Sequence, residues 1–135
     1  MAIYGRTFAA ELNEKGKHEE ALTSAAAAIE KDASNPEHWY DRAVAAVALG
    51  RHGDAVTDVE RAMTLDAEAQ VLDDDELDDL FWSSLLAVAK DEGAAGATML
   101  DRYLGVKPQG RHVGEVGDWK KRLRGELKTD WVKQR

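Results

Sequence analysis

The chain has 135 residues, no cysteine, and 26 Asp and Glu against 18 Lys and Arg, for a formal net charge of −8. This length suits one domain, the missing cysteines exclude disulfides and thiolate metal sites, and the acidic balance disfavours nucleic acid as a partner. Because no apolar run reaches the roughly 18 residues of a membrane helix and the charged N-terminus is unlike a signal peptide, we expect a cytoplasmic protein.

Two segments of the chain repeat after a shift of 34 residues. The shift places GKHEEALTSAAAAIEKDA on GRHGDAVTDVERAMTLDA, with seven identical positions that include His18 with His52 and Ala21 with Ala55. A fixed period of this length is typical of arrays in which each repeat is one small helical unit. With no alternating strand pattern in the chain, the sequence predicts an all-α fold.

Each repeat is predicted to form two antiparallel helices. In the second repeat a helix begins at Pro36, where Asn35 can cap it or Ser34 with Glu37 can form a capping box. Gly50 ends that helix. The four helices are predicted near 3–15 and 18–32 in the first repeat (1–33), and near 36–49 and 53–66 in the second (34–68).

A third, degenerate repeat (74–108) is predicted after the irregular segment that includes the acidic run 73–79. Trp82 and Gly93 lie 11 residues apart, as do Trp39 and Gly50. This spacing predicts one helix near 74–91 and a second near 94–105. The second helix fits the repeat pattern better when it is shifted by two residues, so two registers stay open for this repeat.

The segment 115–135 is predicted to form an amphipathic helix capped by Asp118. From Lys107 onward nine Lys and Arg accompany four Asp and Glu, a balance of +5 that leaves −13 for the rest of the chain. This helix either caps the last repeat, which needs a covering neighbour, or serves as an interface. Its apolar stripe consists of Trp119, Leu123, Leu127 and Trp131, which recur every four residues.

The two clear repeats resemble the tetratricopeptide repeat family, which has a 34-residue period and fixed small and aromatic positions. The resemblance implies a solenoid of helical hairpins, with two clear repeats, a degenerate third and a C-terminal capping helix. The chain departs from the pattern where Gly5 replaces tryptophan, where Arg42 and Ala43 replace Leu-Gly, and where alanines replace both closing prolines. The matching residues are Phe8, Leu12, Gly16, Ala21, Ala25, Ala28 and Ala33, then Trp39, Gly50, Ala55, Val59, Ala62 and Ala67.

In this family the first helix of each pair lines a concave groove that holds a peptide, so the resemblance implies a protein or peptide as partner. One subclass grips the C-terminal carboxylate of chaperone tails, but Asp41 at one of those positions would repel a carboxylate, which disfavours such tails here. A shifted third repeat would contribute Phe81, Trp82, Leu85 and Val88 to the groove. The unshifted set of groove residues is Arg6, Asn13, Tyr40, Asp41, Val44, Val47, Ser84, Ala87 and Lys90, with Ser83 beside Ser84.

No pattern in the chain indicates catalysis, a metal or a cofactor. The four histidines lack metal-binding spacings, and no nucleophile elbow or phosphate-binding loop occurs. The acidic run 73–79 lacks the glycine and glutamate of a calcium loop. We interpret this run as the acidic start of a helix, or alternatively as a contact patch for a basic partner.

Two functions follow from these patterns. The first is an adaptor that binds a peptide in the groove without catalytic activity, for which Val44→Glu is expected to abolish partner binding. The alternative is a self-associating structural module that uses the C-terminal helix, for which the mass is expected to rise with concentration. The latter would make the protein a homo-oligomer.

Overall fold

The computed structural model describes residues 7–126, and this part of the chain is all-helical without any strand. Seven α-helices and one 3-10 helix follow one another with short connections. Their bounds are α1 Phe8–Glu14, α2 His18–Lys31, α3 Pro36–Ala48, α4 His52–Ala69, α5 Asp74–Glu92, the 3-10 helix Gly93–Leu100, α6 Asp101–Val106 and α7 Val113–Leu123.

Side-chain caps determine where three of the helices begin. The Asn35 side chain accepts a hydrogen bond from the backbone N–H of Glu37 at 2.9 Å, which confirms the predicted cap of α3. Thr7 caps α1 in an extended conformation, so that helix begins at Phe8 and not near residue 3. Asp73 caps α5 in the same way. Each cap satisfies a backbone donor that the first helical turn leaves without a partner.

The turns after α1 and α3 are the same structure in two copies. Gly16 and Gly50 both have a φ of +79°, a conformation that glycine adopts without strain. In both turns the backbone N–H after the glycine donates to the carbonyl five residues earlier, from Lys17 to Leu12 at 2.9 Å and from Arg51 to Ala46 at 2.8 Å. The 34-residue period is therefore present in the hydrogen bonds as well as in the residue types.

The segment 94–105, predicted as the second helix of a third repeat, has a different structure. Residues Gly93–Leu100 form a 3-10 helix, and only then does the short helix α6 follow. A Cβ atom on Gly96 would lie 2.0 Å from the carbonyl oxygen of Ala89, so this segment contacts the backbone of α5 directly. Gly93, with a φ of 63° and a ψ of −134°, ends α5 and is the first residue of the 3-10 helix. Gly93 follows Trp82 by 11 residues, as Gly50 follows Trp39, but the chain after Gly93 does not form the turn found at Gly50.

Helix α7 corrects the prediction of a continuous helix over 115–135. It begins at Val113, and Asp118 lies inside it and does not cap it. It ends at Leu123, because Gly125 adopts a φ of +79° and the N–H of Glu126 donates back to Lys121 at 2.8 Å. The predicted stripe is therefore not carried by one uninterrupted helix. Its members Leu127 and Trp131 lie outside the described residues.

Neighbouring helices pack against one another in chain order, and α1 also contacts α3, as α3 contacts α5. The first helices of the predicted pairs therefore lie side by side. In the stretch 7–126, no helix combines the length and the apolar character that crossing a membrane requires.

The hydrophobic core is uneven along the chain. Its larger cluster extends from α3 to α7 and contains the fully buried side chains of Phe81, Leu85, Leu100 and Tyr103. The smaller cluster joins α1, α2 and α3 through Leu12, Ala21 and Ala45, with Leu22 packed against it. Among the alanines that match the repeat family, Ala21, Ala55 and Ala62 are completely buried, whereas Ala28 is half-buried.

Candidate functional site

A groove of about 500 Å³ lies where α3 and α5 run side by side. Three residues at helical spacing, Glu76, Leu80 and Ser83, place one face of α5 along it. We name it the α3–α5 groove. Its lining residues are Tyr40 from α3, Glu76, Asp79, Leu80, Trp82 and Ser83 from α5, and His112 just before α7.

The floor of the groove is apolar and rigidly packed. Tyr40 and Leu80 are half-buried and pack against the larger core cluster. Trp82 is 4% exposed. Its ring is stacked on His112 with 5.6 Å between ring centroids, and Tyr103 meets its edge at 5.1 Å. The Trp82 ring is thus in contact with both His112 and Tyr103.

His112 closes one end of the groove through two carboxylates. Its Nε2 lies 2.7 Å from Asp79 and its Nδ1 lies 2.5 Å from Glu115. Burial disfavours the charged imidazole, but the hydrogen bonds to Asp79 and Glu115 outweigh burial and raise the pKa of His112 above its usual range. The carboxylate of Asp79 is consequently occupied by a partner within the chain.

The segment that holds His112 is fixed by a buried hydrogen-bonded network. The Tyr103 hydroxyl donates to Asp78 at 2.5 Å and accepts the backbone N–H of His112 at 2.9 Å. Asp78, which is 3% exposed, also accepts the backbone N–H of Arg111 at 2.8 Å. Burial and the hydrogen bond to Asp78 raise the pKa of Tyr103, so it remains a neutral donor.

The other side of the groove carries a negative electrostatic field. Burial, together with the charges of Glu76, Asp41 and Asp73, raises the pKa of Tyr40 to about 12. The pKa of Glu37 at the start of α3 is raised too, first by burial and then by the charges of neighbouring carboxylates. Carboxylates thus outnumber cations at this end of α3 and α5.

The predicted groove residues on α1 and α3 fall into two groups. Tyr40 lines the α3–α5 groove, and Val44 and Val47 follow it on the same face of α3, both half-buried. Asp41 is 5% exposed and accepts a hydrogen bond from the Thr7 hydroxyl. The Asn13 amide donates to the carbonyl of Asp41 at 3.1 Å and contacts His18 at 3.0 Å, so it joins α1 to α3. Arg6 lies outside the described residues.

On α5, neither predicted register supplies the whole wall. Ser83, from the unshifted set, lines the groove, but Ser84 is fully buried and donates to the carbonyl of Leu80 at 2.7 Å. Trp82, from the shifted set, also lines the groove. The remaining residues of both sets lie elsewhere: Phe81 and Leu85 are fully buried, Ala87 and Val88 are half-buried, and Lys90 lies over the Trp119 ring at 4.4 Å.

The described half of the predicted stripe is covered by the protein itself. Trp119 and Leu123 are half-buried and pack against the larger core cluster. The Trp119 ring also receives Lys90 at 4.4 Å and Arg122 at 5.0 Å from its centroid. Both side chains therefore contact the core of the same molecule.

Sequence reasoning missed four lining residues, namely Glu76, Asp79, Leu80 and His112, as members of a groove. The acidic run 73–79 was a signal for the first two, because a contact patch for a basic partner was one of its two interpretations. For His112 no local signal exists, since it reaches Asp79 across 33 residues of chain.

In residues 7–126 no group of three or more histidine, aspartate or glutamate side chains is arranged to hold a metal ion. No protein-family model matches the chain, and no curated protein is similar to it at a significant level.

Proposed function

We propose that the protein binds a peptide segment of a partner protein in the α3–α5 groove and has no catalytic activity. The observation that carries this proposal is the composition of the groove. Tyr40 and Leu80 are half-buried and line the groove next to the exposed side chains of Glu76 and Ser83. Ligand-binding surfaces are usually lined by apolar side chains with a few polar groups at their border.

The resemblance to the tetratricopeptide repeat family supports the same proposal. In that family the first helices of successive pairs form the peptide-binding surface, and α3 and α5 are the first helices of the second and third predicted pairs. The contacts of α3 with α1 and with α5 give such a surface a continuous backing. A helical or extended peptide can bind along a surface formed by two neighbouring helices.

Self-association through the C-terminal stripe has less support. Trp119 and Leu123 already contact the core of the same molecule. A side chain that covers its own core contributes little free surface to a second copy. We therefore propose peptide binding ahead of self-association.

The test uses a substitution that fills the groove without disturbing the core. Ser83 is exposed, and among the described residues its side chain donates to the carbonyl of Leu80 in its own helix. Ser83→Trp is expected to keep the helicity measured by circular dichroism and to weaken partner binding by about tenfold or more, since it occupies the space of the ligand. The measurement is retention of proteins from a lysate of the source organism on immobilised wild type and variant.

The matched control is Ala27→Trp, which adds a tryptophan at an exposed position of α2 away from the groove. Proteins retained by wild type and by Ala27→Trp but lost on Ser83→Trp would be groove ligands. Retention of the same proteins by all three would contradict the proposal, and so would a lysate from which the wild type retains nothing.

A further inference from the structure

Within residues 7–126, one of the carboxylates that line the α3–α5 groove has no cation paired with it. Among the described residues, Asp79 is paired with His112 at 2.7 Å and with Arg111 at 3.2 Å. Glu76, by contrast, has no hydrogen bond or ion pair between its carboxylate and another side chain in residues 7–126, although its backbone N–H is capped by Asp73. A carboxylate at the edge of an apolar groove favours a cationic group on the ligand.

The surroundings of Glu76 add to that preference. Tyr40 and Leu80 line the groove beside it and offer an aromatic ring and an aliphatic side chain. Burial raises the pKa of Tyr40, and the nearby charge of Glu76 raises it further. A cation would be attracted both by the carboxylate and by the ring.

The protein already uses this combination elsewhere. The Arg42 guanidinium binds both carboxylate oxygens of Asp58, at 2.9 and 3.0 Å, and lies 5.1 Å from the centroid of the Trp39 ring. The pair Tyr40 and Glu76 offers the same two kinds of surface, but with no arginine of the described chain between them. Arginine suits it better than lysine because its planar fork binds a carboxylate through two hydrogen bonds and stacks on rings.

We infer that the α3–α5 groove recognises an arginine of the partner peptide, with its guanidinium on Glu76 and its hydrocarbon stem on Tyr40 and Leu80. This inference rests on the proposed function, since it names the chemistry of the ligand for the same groove. The acidic body of the protein, at −13 before Lys107, favours the approach of such a basic segment.

The probe is a phage-displayed library of random dodecapeptides selected on the full-length protein. Peptides that bind wild type but not Ser83→Trp occupy the groove, and we expect them to share an arginine next to apolar residues. Glu76→Gln is expected to weaken their binding by about fivefold, as for an exposed ion pair. Replacing that arginine by lysine in a selected peptide is expected to weaken wild-type binding as well, because the fork is lost.

The matched control is Asp74→Asn. Asp74 lies in the same first turn of α5 and is exposed like Glu76, but it does not line the groove. The substitution removes the same charge. It is expected to leave peptide affinity within about twofold of wild type, because salt screens an exposed charge that does not contact the peptide.

The outcomes separate the two proposals. Groove peptides without arginine, or equal losses in Glu76→Gln and Asp74→Asn, would overturn the arginine assignment and leave peptide binding in place. A library without any peptide sensitive to Ser83→Trp would overturn both proposals. A dimer in light scattering that Glu76→Gln dissociates would place a second copy of this chain in the groove, and would overturn the partner arginine.

Discussion

At the scale of single residues, His18 and His52 show how one repeat position acquires different neighbours. His18 Nδ1 lies 3.0 Å from the Asn13 side chain. The residue that corresponds to Asn13 after 34 positions is Val47, and the Nδ1 atom of His52 is buried with no hydrogen-bond partner among residues 7–126. A buried polar atom without a partner lowers stability, because it has lost its bond to water.

This difference predicts opposite effects for the same substitution in the two repeats. His52→Phe is expected to raise the free energy of unfolding by about 1 kcal/mol, because it removes the unpaired nitrogen and keeps the ring. His18→Phe is expected to lower it by a similar amount, since the Asn13 side chain loses its partner. Urea unfolding followed by circular dichroism measures both, and a loss of stability in both variants would contradict this account of His52.

At the scale of elements, α7 is attached to α5 mainly through the residues just before it. Asp78 and Asp79 of α5 bind the backbone N–H of Arg111 and the imidazole of His112. The Tyr103 hydroxyl joins the same network from α6. Side chains of two other elements thus hold the segment that leads into α7, while α7 itself packs against the 3-10 helix and α6.

The imidazole contact makes this attachment depend on pH. The folded-state pKa of His112 is raised above the ordinary 6.5, so its stabilising contribution is fully present below pH 6.5 and is lost as the pH rises through the folded value. We expect the stability difference between wild type and His112→Gln to be largest in mildly acidic solution and to shrink toward alkaline pH. Urea titrations across that range measure it, and a constant difference would show that the ion pairs contribute nothing.

Elements differed in how far the sequence could predict them. The start of α3 is local, because Asn35 caps a backbone N–H two residues away, and this was predicted. The start of α7 depends on Asp78, whose partners lie 25 and 33 residues later in the chain, and it was not predicted. The same long-range contacts bring His112 into the groove. Periodicity therefore located the helix pairs of the two repeats, while the place of His112 in the groove depended on long-range contacts that no sequence pattern records.

At the scale of the whole molecule, the packing is stronger toward the C-terminal half. The cluster around Phe81 and Tyr103 joins large side chains from α3 to α7, whereas the cluster around Leu12 consists mainly of alanines. The buried apolar area contributes to the free energy of local unfolding, so the N-terminal helices should unfold locally at a lower free energy than the C-terminal ones.

Native-state hydrogen exchange tests this gradient. Amides of α2 are expected to show protection factors about tenfold or more below those of α5. Leu12→Ala, which removes a side chain that is 6% exposed, is expected to lower protection in α1 and α2 and to leave α5 unchanged. Equal protection in all helices, or an equal loss in α5, would mean that the array unfolds as one cooperative unit.

The identical turns at Gly16 and Gly50 have a consequence for protein engineering. The backbone leaves both glycines in the same direction and with the same hydrogen bonds, so residues 17–50 form a segment whose two covalent ends are interchangeable. A second copy of 17–50 inserted after Gly50 would create only junctions that the molecule already contains. The segment 17–50 could thus be repeated to build a longer array, which would place an additional helix of the α3 type next to α3.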